Sequence, residues 1–155
     1  TVKEERTHIE SYLEIQQFRY QDILDYEIQM DEEIYGYIIP KLTLQPLVEN
    51  ALYHGIKNKR GKGKILITGK KQGDKIIFQV IDNGKGMTEE ELNSLRKKMA
   101  GTDTGDEAKG FGVSNVNQRI KYYYGEEYGV FFESKENEGT NATIIIAAKN
   151  IQLLS

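Results

Sequence analysis

The fold of this chain is decided by the stretch Leu44-Gln45-Pro46-Leu47-Val48-Glu49-Asn50-Ala51-Leu52-Tyr53-His54-Gly55-Ile56-Lys57. Pro46 suits the first turn of a helix, because proline has no amide proton to lose there. Gly55 suits the left-handed position that follows the last helical residue. Between them, apolar residues recur at intervals of three and four, which predicts a helix with one face in the core. These apolar residues are Leu44, Leu47, Val48 and Ala51.

The polar residues of this predicted helix share a second face. Asn50 and His54 lie four residues apart and therefore on the same side of the helix, with Lys57 one turn further on. An amide, an imidazole and an ammonium in a row are typical of a surface that meets phosphate and a metal ion. The same pattern is also typical of a buried helix whose polar side merely faces water, so the rest of the chain must distinguish these interpretations.

Composition limits the classes of protein to which the chain can belong. Its 155 residues, 38% of them hydrophobic, can bury one sizeable core. The 21 basic and 24 acidic residues are well mixed and give a net charge of -3, so we expect no nucleic-acid partner. The absence of cysteine excludes disulfides and thiolate metal sites and favours a reducing compartment. Because the chain opens without Met, in helical sequence, we expect it to be a fragment of a longer protein.

Helices and strands can be predicted along most of the chain. A helix from Thr1 to about Gln21 keeps Ile9 and Leu13 on an apolar side, with residues 3–6 outside. His8, in this helix, is more simply explained as a histidine on a solvated edge than as a catalytic residue. Strands are predicted at 23–30, at 64–68 and 75–81 as one hairpin, and at 128–134 and 140–148 as a second hairpin.

The stretch Asp82-Asn83-Gly84-Lys85-Gly86 follows directly on the predicted strand 75–81. Asn-Gly is typical of a hairpin turn, but Thr88 and Glu91 form a capping box that opens a helix instead. The two glycines remove side chains where a flat ligand could lie against the backbone. Asp82 can accept hydrogen bonds from an exocyclic amine, and burying its carboxylate without such a partner would be costly.

A second glycine-containing segment follows the predicted helix. Residues 100–109 offer nothing to bury and are typical of a loop that folds over a ligand. The loop ends in Gly110-Phe111-Gly112, two glycines ahead of another helix, whose first amides favour anions. The pattern matches neither a dinucleotide-binding Gly-x-Gly-x-x-Gly nor a P-loop, and by itself it is weak evidence.

Four blocks, in this order, resemble the N, G1, G2 and G3 boxes of the Bergerat-fold (GHKL) ATPases. They are Glu49-Asn50 with His54-Gly55, Asp82-Asn83-Gly84-Lys85-Gly86, Gly110-Phe111-Gly112 and Gly139-Thr140. The residues around the first block resemble more narrowly the sensor histidine kinases of the LytS/YesM type. The same resemblance is found in Tyr12-Leu13-Glu14-Ile15-Gln16 with Arg19-Tyr20. The resemblance covers essentially the whole chain, and four ordered blocks are far more specific than any one of them.

This resemblance implies an α/β fold, more narrowly an α+β two-layer sandwich. A mixed, mostly antiparallel sheet would lie under a layer of helices, with ATP held beneath a flexible lid at about residues 87–112. Residues 1–21 would be the end of a dimerisation helix or linker, residues 22–150 the ATP-binding catalytic domain, and residues 151–155 a tail.

The resemblance also implies roles for individual residues. Asn50 would bind Mg²⁺ through its side-chain oxygen, which suits a metal that prefers oxygen ligands beside phosphate. Glu49 would orient or polarise a water or the incoming nucleophile, and Asp82 would bind the adenine amine. The other expected roles are phosphate contacts for His54, Lys57, Gly110 and Gly112, access for the base at Gly84 and Gly86, and support of Asp82 by Thr140. Asn115 and Arg119 could lie near the phosphates or simply pack.

The activity implied by the resemblance is that of an ATP-dependent protein-histidine kinase in two-component signalling. Neither His8 nor His54 has the family's acceptor context, Asn-Pro-His-Phe, so the acceptor histidine is expected in an upstream dimerisation domain outside this chain. The full-length protein would be a membrane-anchored homodimeric sensor with this region in the cytoplasm and a response regulator downstream. The fragment alone is expected to be weakly active or inactive. Alternatives are a clamp-type GHKL ATPase in which Glu49 activates water, and a non-catalytic nucleotide-binding module.

Overall fold

The computed structural model of the chain describes residues 1–57, 61–101 and 111–150. Its helices are α1 (Val2–Arg19), α2 (Gln45–Asn50), α3 (Glu89–Met99) and α4 (Phe111–Tyr124). Its strands are β1 (Leu24–Met30), β2 (Gly63–Gln72), β3 (Lys75–Asp82), β4 (Gly129–Lys135) and β5 (Gly139–Ala147). Helix α2 continues as a π-helical segment, Ala51–Ile56, and a short 3-10 turn lies at Glu32–Ile34. None of the helices in these described ranges has the length and hydrophobicity of a membrane-spanning helix.

The strands form one mixed sheet in the order β1-β2-β3-β5-β4. Strand β1 is parallel to β2, while the other neighbouring pairs are antiparallel. Both predicted hairpins and the mixed, mostly antiparallel sheet are therefore confirmed. In the register of β3 and β5, Asp82 lies opposite Thr140. The last residue of β3 and the start of β5 therefore lie at the same end of the sheet.

The core lies on one face of this sheet. Alternate residues of β2, β3 and β5 are buried, as expected for strands covered on one side only. The helices contribute apolar side chains to the same core, and the result is the expected two-layer arrangement. The buried residues with apolar side chains on β2, β3 and β5 are Ile65, Ile67, Ile76, Phe78, Val80, Ala142, Ile144 and Ile146.

Helix α1 packs into this core through fully buried Ile9 and Leu13, as predicted. One part of the prediction is wrong, because Glu5 is not outside but only 5% exposed. Its carboxylate accepts the backbone N–H groups of Leu42, at 3.1 Å, and Leu44, at 2.9 Å. Glu5 lies one turn before Ile9 and so shares its buried face, where the two amides replace water as its partners.

The end of the first predicted helix also differs. Gly55 has no left-handed backbone and does not end the helix; it lies within the π-helical segment. That segment closes at Lys57, whose N–H donates to the carbonyl of Leu52 at 2.9 Å, five residues back. Short π-helical segments are rare in proteins and are frequently found at functional sites.

Helix α3 begins where the capping box predicted. The N–H of Glu91 donates to Thr88 Oγ1 at 3.2 Å, and the N–H of Thr88 donates to Glu91 Oε2 at 2.8 Å. The Asn-Gly pair therefore belongs to a strand-to-helix connection and not to a hairpin. Helix α4 begins at Phe111, so Gly112 lies in its first turn and not ahead of it. Most of the predicted lid loop, including Gly110, lies outside the described residues.

Candidate functional site

A cavity of about 180 Å³ opens where α2, the end of β3 and α3 meet. Its described lining residues are Asn50, His54, Gly55, Asp82, Lys85, Gly86, Met87, Glu91, Leu95 and Thr140. A second cavity, of about 170 Å³, shares Asn50 and His54 with the first and extends toward α4. Its lining residues are Pro46, Glu49, Asn50, Tyr53, His54, Gly112 and Val113. The two cavities bring together predicted site residues from four separate blocks of the sequence.

The wall between the two cavities is formed by Asn50 and His54, which belong to both. Asn50 is the last residue of α2, and His54 follows one turn later in the π-helical segment. Their predicted common face is therefore confirmed. The amide and the imidazole can each reach a ligand that occupies both cavities.

The carboxylate of Asp82 lies at the buried end of the first cavity. The residue is 5% exposed, and its Oδ1 accepts the N–H of Gly84 at 2.8 Å. As the last residue of β3, Asp82 is held by the sheet on both sides of its strand. A rigidly held, buried acceptor next to apolar Met87 and Leu95 can bind a flat group that carries an N–H donor.

The glycines around Asp82 allow backbone to pack directly on backbone. A Cβ added to Gly55 would lie 2.6 Å from Asp82 Oδ1, and one added to Gly84 would lie 2.3 Å from the carbonyl carbon of Gly55. Gly86 has a φ of +66° and approaches the carbonyl oxygen of Lys135, where an added Cβ would lie only 2.0 Å away. The approach of a flat ligand at Gly84 and Gly86 stays a prediction, and the structure adds that both glycines are required by the chain's own packing.

Thr140 enters the first cavity from the start of β5. Its Oγ1 lies 2.8 Å from Ser134 Oγ, which also accepts the N–H of Met87 at 2.9 Å. Ser134 therefore ties the segment after Asp82 to the β4–β5 hairpin. No sequence motif marked Ser134 as part of this arrangement.

Glu49 lines the second cavity, and its carboxylate is hydrogen-bonded on its own helix. Gln45 Nε2 donates to Glu49 Oε1 at 2.9 Å. Tyr12 of α1 lies close by, and burial, reinforced by neighbouring Tyr53 and Glu49, raises the pKa of Tyr12 far above its usual value. Side chains of α1 thus reach the edge of the candidate site.

The structure does not bring every predicted residue to these cavities. The ammonium of Lys57 lies over the rings of Tyr53, at 4.9 Å, and Tyr20, at 5.5 Å, and lines neither cavity. Arg119 donates to the carbonyl of Leu42 at 3.1 Å, and Asn115 is exposed on α4. Within the described residues, no group of three or more His, Asp or Glu side chains could hold a metal ion by itself.

Some lining residues were missed from the sequence. Met87 and Leu95 form the apolar part of the first cavity, and Glu91 lies beside them. Leu95 falls four residues after Glu91 on α3, and a cavity wall has the same periodicity as a core face. Only the position of Asp82 could have indicated that this side of α3 faces a cavity.

Comparison with known proteins decides the family. Residues 40–150 match the family of histidine kinase-, DNA gyrase B-, and HSP90-like ATPases. The chain belongs to this ATPase family. Membership implies the use of ATP and confirms the Bergerat (GHKL) resemblance deduced from the four blocks.

Two relatives of this chain show a closer resemblance within the family. Sensor histidine kinase YesM of Bacillus subtilis is 35% identical over 150 residues, which cover 97% of this chain and 24% of YesM. Sensor protein LytS of Bacillus anthracis is 30% identical over 148 residues, which cover 96% of this chain and 25% of LytS. The chain spans about a quarter of the length of these two relatives.

A solved structure shows the same fold. The catalytic domain of histidine kinase ThkA superposes with a TM-score of 0.70 at 19% identity, covering 95% of this chain and 94% of that one. At this identity the likeness concerns the fold alone. It confirms the α+β sandwich with a mixed sheet.

Proposed function

We propose that this chain is the ATP-binding catalytic region of a sensor histidine kinase, which transfers the γ-phosphoryl group of ATP to a histidine in another domain. The observation that carries the proposal is the buried Asp82 carboxylate in a cavity shared with Asn50 and Thr140, in a chain of this ATPase family. The name of the relative YesM, a sensor histidine kinase, supports the kinase over other activities of the family, and the name of LytS supports a sensor protein.

In this proposal the first cavity holds the adenine ring. A carboxylate only accepts hydrogen bonds, so Asp82 pairs with the exocyclic amine of adenine and rejects guanine, which has a carbonyl oxygen at that position. Met87 and Leu95 supply apolar contact for the ring. The hydroxyl of Thr140 supports the polar edge of the base beside Asp82.

Asn50 and His54 then face the phosphates, since they line both cavities. The amide oxygen of Asn50 suits Mg²⁺, which prefers oxygen ligands and takes one or two from protein and the rest from phosphates and water. When bound, Mg²⁺ would neutralise phosphate charge. Gly112 presents an amide from the first turn of α4, while Lys57, stacked on two tyrosine rings, is left out of this assignment.

Glu49 is assigned to orient the incoming histidine. A nitrogen lone pair of the acceptor imidazole attacks the γ-phosphorus while the bond to the β–γ bridging oxygen breaks, and ADP leaves. A carboxylate that accepts the imidazole's other N–H keeps the attacking nitrogen in line with the breaking bond. Positioning and charge neutralisation supply most of the catalysis in such transfers.

The proposed partners are those expected of a sensor histidine kinase. ThkA has been solved in complex with the response regulator protein TrrA, at a TM-score of 0.68 and 21% identity to this chain. We accordingly assign this chain a response regulator downstream, a dimerisation domain that carries the acceptor histidine, and a place on the cytoplasmic side of a membrane-anchored homodimer.

Calorimetric titration of Mg-ATP into the chain and into Asp82→Asn tests the proposal. We expect the wild-type chain to bind ATP and not GTP, and Asp82→Asn to bind ATP roughly 10- to 100-fold more weakly, as expected for loss of a hydrogen bond to a charged group. Asp74→Asn makes the same change in the exposed turn at the other end of β3 and should leave the affinity unchanged. Equal affinity of Asp82→Asn and wild type would contradict the adenine assignment, and no binding at millimolar ATP would contradict the proposal itself.

A further inference from the structure

Helix α1 is connected to Glu49 by a chain of side-chain hydrogen bonds. His8 Nε2 bonds to Gln45 Oε1, and Gln45 Nε2 donates to Glu49 Oε1 at 2.9 Å. We propose that Gln45, held in place by His8, is a positioning residue that orients the Glu49 carboxylate for phosphoryl transfer. The inference rests on the proposed function, in which Glu49 orients the incoming histidine.

The chemistry of the three groups determines which atom donates and which accepts in each of the two hydrogen bonds. A carboxylate can only accept hydrogen bonds, so the amide NH₂ of Gln45 must face Glu49. The amide oxygen must then face His8, and the imidazole must carry its proton on Nε2 to donate to it. Neutral imidazole with the proton on Nε2 and imidazolium can both make this bond. The orientation of Gln45 is thus specified from both ends.

The backbone places the three side chains within reach of one another. Gln45 and Glu49 lie four residues apart on α2 and so share a face. Glu5 of α1 binds the N–H groups of Leu42 and Leu44, just before α2, which fixes α1 against the start of that helix. His8 lies about one turn after Glu5 and therefore comes to lie opposite Gln45.

The consequence concerns the rate of transfer more than the binding of ATP. A glutamate side chain has three rotatable bonds, and a donor at one carboxylate oxygen restricts it to fewer orientations. Glu49 lines the second cavity beside Asn50 and His54, whereas neither Gln45 nor His8 lines either cavity. Removing the donor should therefore disorder Glu49 while leaving the groups assigned to ATP in place.

The test compares Gln45→Leu, His8→Phe and His8→Gln with wild type in the parent protein that carries the acceptor domain. In Gln45→Leu and His8→Phe we expect kcat for transfer from Mg-ATP to fall roughly 5- to 20-fold, less than the ~10²- to 10⁴-fold that a lost acid–base group costs. The KM for ATP should stay within about twofold of the wild-type value, because the residues assigned to bind ATP are unchanged. His8→Gln keeps an N–H donor and should restore most of the rate.

Two further measurements make the outcome decisive. Gln29→Leu removes another glutamine that donates to a glutamate, Glu27 on β1, and should leave kcat unchanged. Three-bond couplings of Glu49, measured by NMR in this chain, should show one preferred side-chain rotamer in wild type and averaging in Gln45→Leu and His8→Phe.

The possible results separate the two proposals. If wild type transfers phosphate and both variants match its kcat, or if only their KM changes, the positioning role is overturned and the kinase assignment stands. If wild type binds ATP but transfers nothing, the proposed function is overturned. In that case an unchanged Glu49 rotamer would overturn the positioning contact as well, and a lost rotamer would support it.

Discussion

At the scale of single residues, the site depends on how closely Gly55 approaches Asp82. In an ordinary helix interior, Gly→Ala is stabilising by up to about 1 kcal/mol. Here a Cβ on Gly55 would lie 2.6 Å from Asp82 Oδ1, and the carboxylate is buried and cannot move into solvent. At this position Gly→Ala should therefore lower the stability of the chain instead of raising it.

We expect Gly55→Ala to destabilise the chain by about 1–3 kcal/mol, the usual cost of overpacking, and to weaken ATP binding because Asp82 is displaced. Urea unfolding and ATP titration would measure both effects. Gly36→Ala is the matched control, since a Cβ there meets no atom within 4 Å. A Gly55→Ala chain as stable as wild type, with unchanged affinity, would show that the close contact has no role.

The sequence indicated which residues form the site better than it indicated why each is there. Asp82 follows directly on a predicted strand and Asn50 lies on the polar face of a predicted helix, and both line a cavity. The glycines could not be explained in advance, because their contacts join positions about 30 to 50 residues apart in the chain. Lys57 was placed by helical spacing alone, which carries no information about the tyrosine rings that hold its ammonium.

At the scale of elements, Asn117 holds two helices and an edge strand together. Its Nδ2 donates to the carbonyl of Met99, the last residue of α3, at 3.2 Å. Its Oδ1 accepts the N–H of Val130 on β4 at 2.9 Å. Strand β4 is at the edge of the sheet, so an N–H on the side away from β5 has no neighbouring strand to bond.

We expect Asn117→Ala to destabilise the chain by about 2–4 kcal/mol, since it leaves a buried N–H and a carbonyl without their partner. Asn115→Ala, an exposed change two residues earlier on the same helix, should stay within about 0.5 kcal/mol. Denaturant unfolding of the two variants gives the comparison. Similar losses in both would mean that the buried contacts of Asn117 do not account for the effect, since Ala favours a helix more than Asn does.

Most elements were predictable because their signals are local. The capping box of Thr88 and Glu91 fixed the start of α3, and alternation fixed the strands. The π-helical segment was not predictable from Gly55, which was taken as a helix end, because no short-range pattern distinguishes the two outcomes. Glu5 was misplaced because its partners, the N–H groups of Leu42 and Leu44, lie 37 and 39 residues away.

At the scale of the whole molecule, α1 is part of the folded unit. The sequence predicted a division at residues 21 and 22, between the end of a dimerisation helix and the ATP-binding domain, and the family match begins at residue 40. In the structure, Val2, Ile9 and Leu13 of α1 are fully buried in the common core. A helix can therefore continue another domain in sequence and still complete the core of this one.

Removing residues 1–21 tests how far the ATP-binding region depends on α1. Each fully buried aliphatic side chain contributes about 1.5–3 kcal/mol, so loss of Val2, Ile9 and Leu13 should cost about 5 kcal/mol or more and expose their partners. This is comparable with the whole stability of an ordinary domain, and we expect residues 22–155 to lose cooperative unfolding in urea.

A milder change separates the buried anchor from the rest of the helix. Glu5→Gln keeps α1 but replaces one of the two carboxylate oxygens with an NH₂ group that cannot accept the N–H of Leu42 or Leu44, and should cost about 1–3 kcal/mol. Glu14→Gln, the same change at an exposed position of α1, should cost almost nothing.

If residues 22–155 unfold cooperatively with wild-type stability, then α1 only rests on the domain, and the core must be complete without it. We expect the loss of stability to be largest for the deletion of residues 1–21, smaller for Glu5→Gln and smallest for Glu14→Gln. If this order is found, any force that moves α1 must also act on the start of α2, because Glu5 joins the two directly.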